Sequence, residues 1–141
     1  IVNLRHKGID FLGCHLRMGQ SRVHADSWYL YRWPSQRSMR RVREQIRGIV
    51  SLRAIGQKRD EMIQRLSRFL MGWGNYFRTG NATRKFCAID GYVRRKLVMY
   101  EHRRRGWNQG RALDRFNYEW YQGLPLYRLP GTIRYPSVKT A

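Results

Sequence analysis

Arginines spaced three and four residues apart are the feature of this sequence with the clearest chemical meaning. Arg40, Arg43 and Arg47 recur at this spacing. Arg37 and Arg41 stand beside them. On a helix the spacing gives one guanidinium group per turn, at steps of about 5.4 Å, which is close to the phosphate spacing along a nucleic-acid strand. Guanidinium groups donate to phosphate oxygens in a planar fork, so this row predicts phosphate contact, with a solvated basic face as the alternative.

A second basic group is interleaved with aromatic residues. Tyr92 precedes one cationic triplet, residues 94–96, and Trp107 follows another, residues 103–105. Arginine beside aromatic rings suits phosphate contact combined with stacking on unpaired bases. Surface charge, or docking on another domain, is the alternative. The residues predicted to contact RNA are Arg37, Arg40, Arg41, Arg43, Arg47, Arg84, Lys85, Arg94, Arg95, Lys96, Arg103, Arg104 and Arg105.

The overall charge supports a nucleic-acid partner. Lys and Arg number 29 against 9 Asp and Glu, which gives a net charge of +20 and a pI near 11.3, and 24 of the 29 are Arg. With 141 residues and 42% hydrophobic side chains, the chain is expected to fold rather than to form a disordered basic tail. No apolar run approaches the ~18 residues that span a bilayer, so a membrane partner is not expected.

The residues that two-metal polymerase chemistry requires are not present in the sequence. The nine acidic residues form no close pair in a YxDD setting, whereas two-metal nucleotidyl transfer needs clustered carboxylates. Cys14, His15 and His24 lack an evident fourth ligand, and neighbours on a strand point apart. We therefore expect no catalytic residue and no metal site. Two distant cysteines indicate a reducing compartment, and a first residue that is not Met suggests a piece excised from a longer protein.

The amino-terminal third predicts a β-hairpin with a long polar loop. Residues 9–18 are apolar with partial alternation, and residues 28–33 are aromatic and branched. Gly13 within the first strand indicates a bulge or a close approach. In the second strand one row of side chains is expected in the core, while the other forms a base-stacking platform or packs under the helices. The two rows are Trp28 with Leu30, and Tyr29 with Tyr31 and Trp33.

Two helices should follow the hairpin. The first covers about residues 39–49 with Ser38 as its N-cap, and the second runs from a cap at Asp60 to about Phe77. Apolar residues recur at three and four positions in both, which predicts one buried stripe on each helix. These stripes are Met39, Val42, Ile46 and Ile49 in the first helix, and Met62, Leu66, Phe69, Leu70, Trp73, Tyr76 and Phe77 in the second.

A third helix is predicted over about residues 83–105, with Gly106 as its stop. A short fourth helix is expected over about residues 111–121, and the proline-containing tail beyond it is expected to be extended or mobile. Asp90 suits an ion pair with Arg94, four residues on. Phe86, Ile89, Val93, Leu97 and Tyr100 should face inward. The residues assigned to the structural core are Trp73, Tyr76, Phe77, Val93 and Leu97.

Gly72 and Gly74 flank Trp73 inside the second predicted helix. Each costs about 1 kcal/mol relative to Ala in a helix interior, so a close approach should compensate for the loss. Either the segment forms the tightest crossing of a helical core, or it contacts a ligand directly.

Four segments in register resemble one protein family. They are Ile9 to Cys14, Trp33-Pro34-Ser35, Met71 to Phe77 and Ile89 to Leu97. Over about residues 5–107 the chain resembles the thumb or maturase-specific (X) domain of group II intron-encoded reverse transcriptases. It departs from the family pattern at Cys14, where a large aromatic residue is usual, and at Met71, where an arginine is usual.

The resemblance implies a mainly α fold, a three-helix thumb/maturase bundle with a small amino-terminal β-hairpin from the end of the palm. It implies three parts: the hairpin (1–33), the helical domain (34–107) and a carboxyl-terminal extension (108–141). The implied function is RNA binding that assists intron splicing and holds the template–primer duplex in a retrohoming mobile element. The implied partners are group II intron RNA, an RNA template with its DNA primer, and the rest of the reverse transcriptase.

Mg²⁺ is expected only for the full-length polymerase, and the expected location is the bacterial cytoplasm or an organelle, without secretion. The alternative hypothesis is a basic helical module that docks on the palm or associates with itself, without specific RNA recognition.

Overall fold

The computed structural model describes residues 3–51, 57–106 and 109–135. Trp107, most of the connector between the first two helices and the last six residues lie outside the described residues. Three antiparallel strands form one sheet in the order β1-β2-β3: β1 (Ile9–Phe11), β2 (Cys14–Gln20) and β3 (Trp28–Pro34). The helices are α1 (Gln36–Ile49), α2 (Arg59–Phe77), α3 (Thr83–Arg105), α4 (Gln109–Arg115) and α5 (Tyr118–Gln122). The fold is mainly α with a small amino-terminal sheet, as predicted.

The first predicted strand is in fact two strands joined by a tight turn. Phe11 pairs with Cys14, and the two residues between them, Leu12 (φ 47°) and Gly13 (φ 79°), both adopt left-handed backbone conformations. Positive φ at both central positions is typical of the two-residue hairpin turn that matches strand twist. Gly13 therefore forms a turn and not a bulge. The expected close approach is present, because a Cβ there would lie 2.9 Å from the Ser38 hydroxyl oxygen.

Neither side-chain row of β3 is buried, so the prediction that one row lies in the core is wrong. Trp28 and Leu30 are 40% and 52% exposed, and Tyr29 of the other row is 49% exposed. Trp33 is half-buried and its ring lies 5.1 Å from the ring of His15. The helices cover the sheet mainly at its Cys14 and Pro34 end, which leaves the far end of this small sheet in solvent.

Helix α1 begins earlier than predicted, with Ser35 rather than Ser38 as its N-cap. The Ser35 hydroxyl accepts from the backbone N–H of Ser38 over 3.2 Å. Ser38 instead donates its hydroxyl to the carbonyl of Gly13 over 2.7 Å. Pro34 ends the strand, and the buried Ser35 can then start the helix at once. Ser35 therefore caps the helix, and Ser38 holds the hairpin turn through its hydrogen bond to Gly13.

Helix α2 also starts before its predicted cap. Asp60 lies in the first turn, the N-cap residue is Lys58, and no side chain caps the helix. The Asp60 carboxylate lies 3.5 Å from the guanidinium group of Arg59, and its charge favours the positive end of the helix dipole. Helix α3 ends as predicted, because Gly106 adopts the left-handed conformation (φ 64°) of a C-cap.

The core lies between the three long helices. Val93, Leu97 and Phe77 are buried, while Trp73 is half-buried with its ring 4.9 Å from Phe77. Tyr76 was predicted in this core and is 58% exposed, which corrects that assignment. Its hydroxyl donates to the carbonyl of Leu12 over 2.7 Å. Tyr76 lies at the margin of the α2 stripe, where it closes over the hairpin turn instead of entering the bundle.

The carboxyl-terminal segment, which was expected to be extended or mobile, packs into the same core. Tyr121, Leu126 and Leu129 are 1%, 8% and 1% exposed. The predicted fourth helix is two short helices, because Asn117 ends the first run and caps α5 by accepting from the N–H of Trp120 over 3.0 Å. No hydrogen-bonded strand or helix forms over residues 123–135.

The C-terminal segment also explains one of the two helical glycines. A Cβ on Gly74 would lie 2.7 Å from a methyl carbon of Leu129, whereas a Cβ on Gly72 would have nothing within 4 Å. Because Gly74 has no Cβ, the C-terminal segment can contact the surface of α2 there. The close approach comes from a segment without regular structure and not from another helix of the bundle.

Candidate nucleic-acid interface

Helices α1 and α3 pack together and bring two basic rows along one groove. The hydroxyl of Tyr92 on α3 donates to the carbonyl of Arg43 on α1 over 3.4 Å. Three cations surround the Tyr92 ring: Arg43 Cζ lies 5.9 Å from its centroid, Arg95 Cζ 6.0 Å and Lys96 Nζ 5.4 Å. These separations permit cation–π attraction, which holds the charges beside an aromatic face. Predicted site residues from two helices therefore meet at one place.

A concave pocket lies one turn further along both helices. Its volume is about 320 Å³, and Arg47, Lys96 and Arg103 bring three positive charges to its wall. Val50 and Met99 supply apolar lining. We call this cavity the groove pocket; it is lined by Arg47, Val50, Ser51, Lys96, Met99, Tyr100 and Arg103. We call the whole surface the α1–α3 groove; it comprises Arg43, Arg47, Tyr92, Arg95, Lys96, Tyr100 and Arg103.

Arg104 and Arg105 are held by a buried carboxylate. Glu101 is 2% exposed, and its Oε2 lies 3.4 Å from Arg104 Nη2 and 3.6 Å from Arg105 Nε. Arg59 of α2 donates from its Nε to Oε1 of the same carboxylate. A buried carboxylate needs such partners because its desolvation is costly. This cluster joins α2 to α3 and distinguishes these two arginines from Arg103, their neighbour in sequence.

Asp90 was predicted to pair with Arg94, but in the structure it pairs with Arg128. The two charged groups form a bidentate contact, with Arg128 Nε donating over 2.8 Å and Nη2 over 2.7 Å. The hydroxyl of Tyr121 donates to the same carboxylate over 3.0 Å. A planar fork facing a carboxylate is a stronger arrangement than an exposed helical i,i+4 pair. Arg94 instead lies with its Cζ 5.8 Å from the ring centroid of Tyr118.

The other predicted RNA-contacting residues lie outside the α1–α3 groove. Arg41 lines a cleft of about 410 Å³ whose wall includes Trp73 and Tyr76. Lys85 lines a separate depression beside the sheet. Along α1, Arg41 therefore lies toward α2, while Arg43 and Arg47 lie toward α3. The remaining members of the predicted set are exposed: Arg37, Arg40 and Arg84.

Sequence reasoning missed three residues of these clusters. Glu101 was detectable, because it precedes Arg104 and Arg105 by three and four residues, which is the spacing of helical ion pairs. Arg59 and Arg128 were not detectable, since each meets its carboxylate across more than 35 residues of chain. Tyr100 was assigned inward and is half-buried at the groove pocket.

Neither a metal-binding cluster nor a membrane-spanning helix occurs in the described parts of the chain. No group of three or more His, Cys, Asp or Glu residues is placed there to hold a metal ion. None of the described helices has the length and hydropathy that crossing a membrane requires.

Comparison with known protein families gives one clear match. The family described as group II intron, maturase-specific domain, matches residues 39–118, which is more than half of the 141 residues. A comparison with curated proteins finds no significant match. The matched range contains α2, α3 and all of α1 except its first three residues, and so every residue of the α1–α3 groove. This chain therefore belongs to the group II intron maturase-specific domain family and has a maturase-specific role in intron splicing.

Proposed function

We propose that this chain is the RNA-binding thumb/maturase domain of a group II intron reverse transcriptase. In this proposal it binds intron RNA during splicing and holds the RNA template with its DNA primer during synthesis. The convergence of Arg43, Arg95 and Lys96 around Tyr92 carries the proposal. Cations held against an aromatic ring offer both phosphate contact and a stacking surface, the combination that single-stranded nucleic acid requires.

The charge of the whole chain supports the same proposal. A net charge of +20 on 141 residues gives a strong positive field, which attracts a polyanion and speeds its encounter. Phosphate contacts release counterions from RNA, so such binding must weaken steeply with salt. A guanidinium group can also bind two phosphate oxygens at once through its planar fork of donors.

We also propose the division of the chain within a larger reverse transcriptase. The sheet, residues 1–33, would be the end of the palm, and residues 34–107 would form the thumb/maturase domain. The extension, 108–141, would belong with that domain, because Tyr121, Leu126 and Leu129 share its core. The partners would be intron RNA, the template–primer duplex and the rest of the polymerase, in a bacterial cytoplasm or an organelle.

Paired substitutions test the RNA-binding proposal. Arg40→Gln with Arg43→Gln removes two charges from α1, and we expect the affinity for a group II intron RNA to fall about tenfold. Arg65→Gln with Arg68→Gln removes two charges from exposed positions of α2 that are not among the predicted RNA-contacting residues, and is the matched control. Affinity is measured by titration with labelled RNA, and thermal melting checks the fold. Equal affinity of both variants and the unsubstituted protein would disprove the arginine proposal.

A second candidate function rests on the exposed side chains of the sheet. Phe11, Leu12, Trp28 and Leu30 are 58%, 71%, 40% and 52% exposed. Large apolar side chains gathered on one small sheet are a feature of protein contact surfaces. In this reading the basic module docks on the palm or on a second copy of itself. Sedimentation of the chain over a range of concentrations tests self-association, and a monomer throughout would reject that form of the hypothesis.

A further inference from the structure

The groove pocket brings like charges together without a carboxylate among them. Its wall holds Arg47 from α1 and Lys96 with Arg103 from α3, and its lining residues include no Asp or Glu. Within the described residues, no ion pair joins any of these three cations to a carboxylate. Three positive charges around one cavity repel each other, and partial enclosure lowers the screening by solvent. The arrangement favours an anion at the centre.

The two acidic residues of α3 are already engaged. Glu101 binds Arg59, Arg104 and Arg105, and Asp90 binds Arg128. The fold therefore neutralises the arginines on one side of the α3 carboxyl-terminal turn and leaves Arg103 on the other. Three cations that converge on one concave site, although Arg47 and Arg103 remain partly open to solvent, favour binding of an anion there.

We propose that the groove pocket binds one phosphate group. Arg47 and Arg103 can each present a planar fork of donors to tetrahedral oxygens, and Lys96 adds a point charge. Val50, Met99 and the ring of Tyr100 give the cavity an apolar side against which a sugar can lie. With about 320 Å³, the pocket is at the small end of the range of about 300–1,000 Å³ for ligand sites. It suits a phosphate with its attached ribose.

The inference rests on the proposed RNA-binding function and names the phosphate subsite of the same groove. The phosphate oxyanion has two possible sources, an internal phosphodiester of RNA and a free phosphate. The cations around Tyr92, one turn away on both helices, offer the adjoining contacts of a continuous strand. For this reason the backbone phosphate is the expected ligand.

The test compares the full chain with Arg47→Gln/Arg103→Gln and with the control Arg65→Gln/Arg68→Gln. Binding of a labelled single-stranded RNA is followed by fluorescence anisotropy over a series of KCl concentrations. Loss of one phosphate contact should reduce the slope of log affinity against log salt by about 0.7 and weaken binding about three- to tenfold. The control should keep the slope. The pocket variant should melt no lower than the unsubstituted protein, since the substitutions remove repulsion.

A second arm measures thermal melting with inorganic phosphate against KCl of equal ionic strength. A phosphate-dependent rise that the Arg47→Gln/Arg103→Gln variant lacks supports the pocket with a free phosphate as its source. If the chain binds RNA but both variants behave alike and phosphate has no effect, the pocket is disproved and the proposed function stands. If the chain binds no RNA, the proposed function fails, and the inorganic phosphate arm alone supports or overturns the pocket.

Discussion

Neighbouring arginines of this chain differ in their carboxylate partners. Glu101 engages Arg104 and Arg105, which lie three and four residues after it on α3. Arg103, in the same turn, lines the groove pocket instead. Three consecutive arginines of the sequence therefore differ in their surroundings, because the buried Glu101 carboxylate forms ion pairs with two of them and not with Arg103.

Gly72 and Gly74 lie on the same helix but differ in how closely other residues approach them. Gly74→Ala places a methyl group 2.7 Å from the buried Leu129 side chain, whereas Gly72→Ala meets nothing within 4 Å. Alanine gains about 1 kcal/mol of helix propensity at either position. Overpacking costs about 1–3 kcal/mol where the neighbour cannot move away. We expect Gly72→Ala to raise the free energy of unfolding by up to about 1 kcal/mol, and Gly74→Ala to lower it or leave it unchanged.

Urea denaturation of both glycine variants measures this difference directly. Equal stabilisation by the two alanines would contradict the observed approach of the C-terminal segment to α2. The sequence predicted that some close approach must compensate for these glycines. It could not show which glycine is in contact, because Leu129 lies 55 positions along the chain in a segment without periodicity.

Among the secondary-structure elements, a cluster of hydrogen bonds connects the C-terminal segment to α3. Asp90 on α3 accepts from Tyr121 of α5 over 3.0 Å and from Arg128 over 2.8 and 2.7 Å. The Arg128 guanidinium carbon lies 4.1 Å from the Tyr121 ring centroid. The three long helices were predictable because apolar periodicity and the Gly106 stop are local signals. The docking of the tail was not, since Leu126 and Leu129 show no helical or strand period and the Asp90 partner is remote.

This cluster makes stability depend on pH at the alkaline end. Burial, followed by the charge of Asp90, raises the pKa of the Tyr121 phenol well above its ordinary value of about 10. The folded protein therefore retains a proton that the unfolded chain loses. The contribution of Tyr121 to the free energy of unfolding is therefore fully present below about pH 10 and is lost as pH rises above it, by up to about 1.4 kcal/mol per pH unit.

Denaturation at a series of alkaline pH values, with Tyr121→Phe as the variant, measures this effect. We expect the unsubstituted protein to lose stability more steeply than Tyr121→Phe above about pH 10. Tyr135→Phe, which removes an exposed phenol, is the control and should follow the unsubstituted protein. Parallel pH profiles for all three proteins would show that Tyr121 is not protected as described.

In the folded molecule, the packing of the helices places part of the excess positive charge along one defined surface. The sequence predicted the basic rows of the first and third helices and the apolar stripes opposite them, because both follow from helical period. It could not predict that Arg43 and Arg47 lie toward α3 while Arg41 lies toward α2. That distinction requires the packing order of three helices, which is a property of the assembled core. The α1–α3 groove therefore forms only when the three helices pack together.

We propose that the α1–α3 groove recognises RNA of a group II intron. The most direct measurement is a binding titration of the chain against a structured group II intron RNA at two salt concentrations, with unrelated RNA of equal length and duplex DNA as competitors. We expect salt-sensitive binding to the intron RNA that survives both competitors. Absence of binding, or an affinity that does not change with salt, would contradict it.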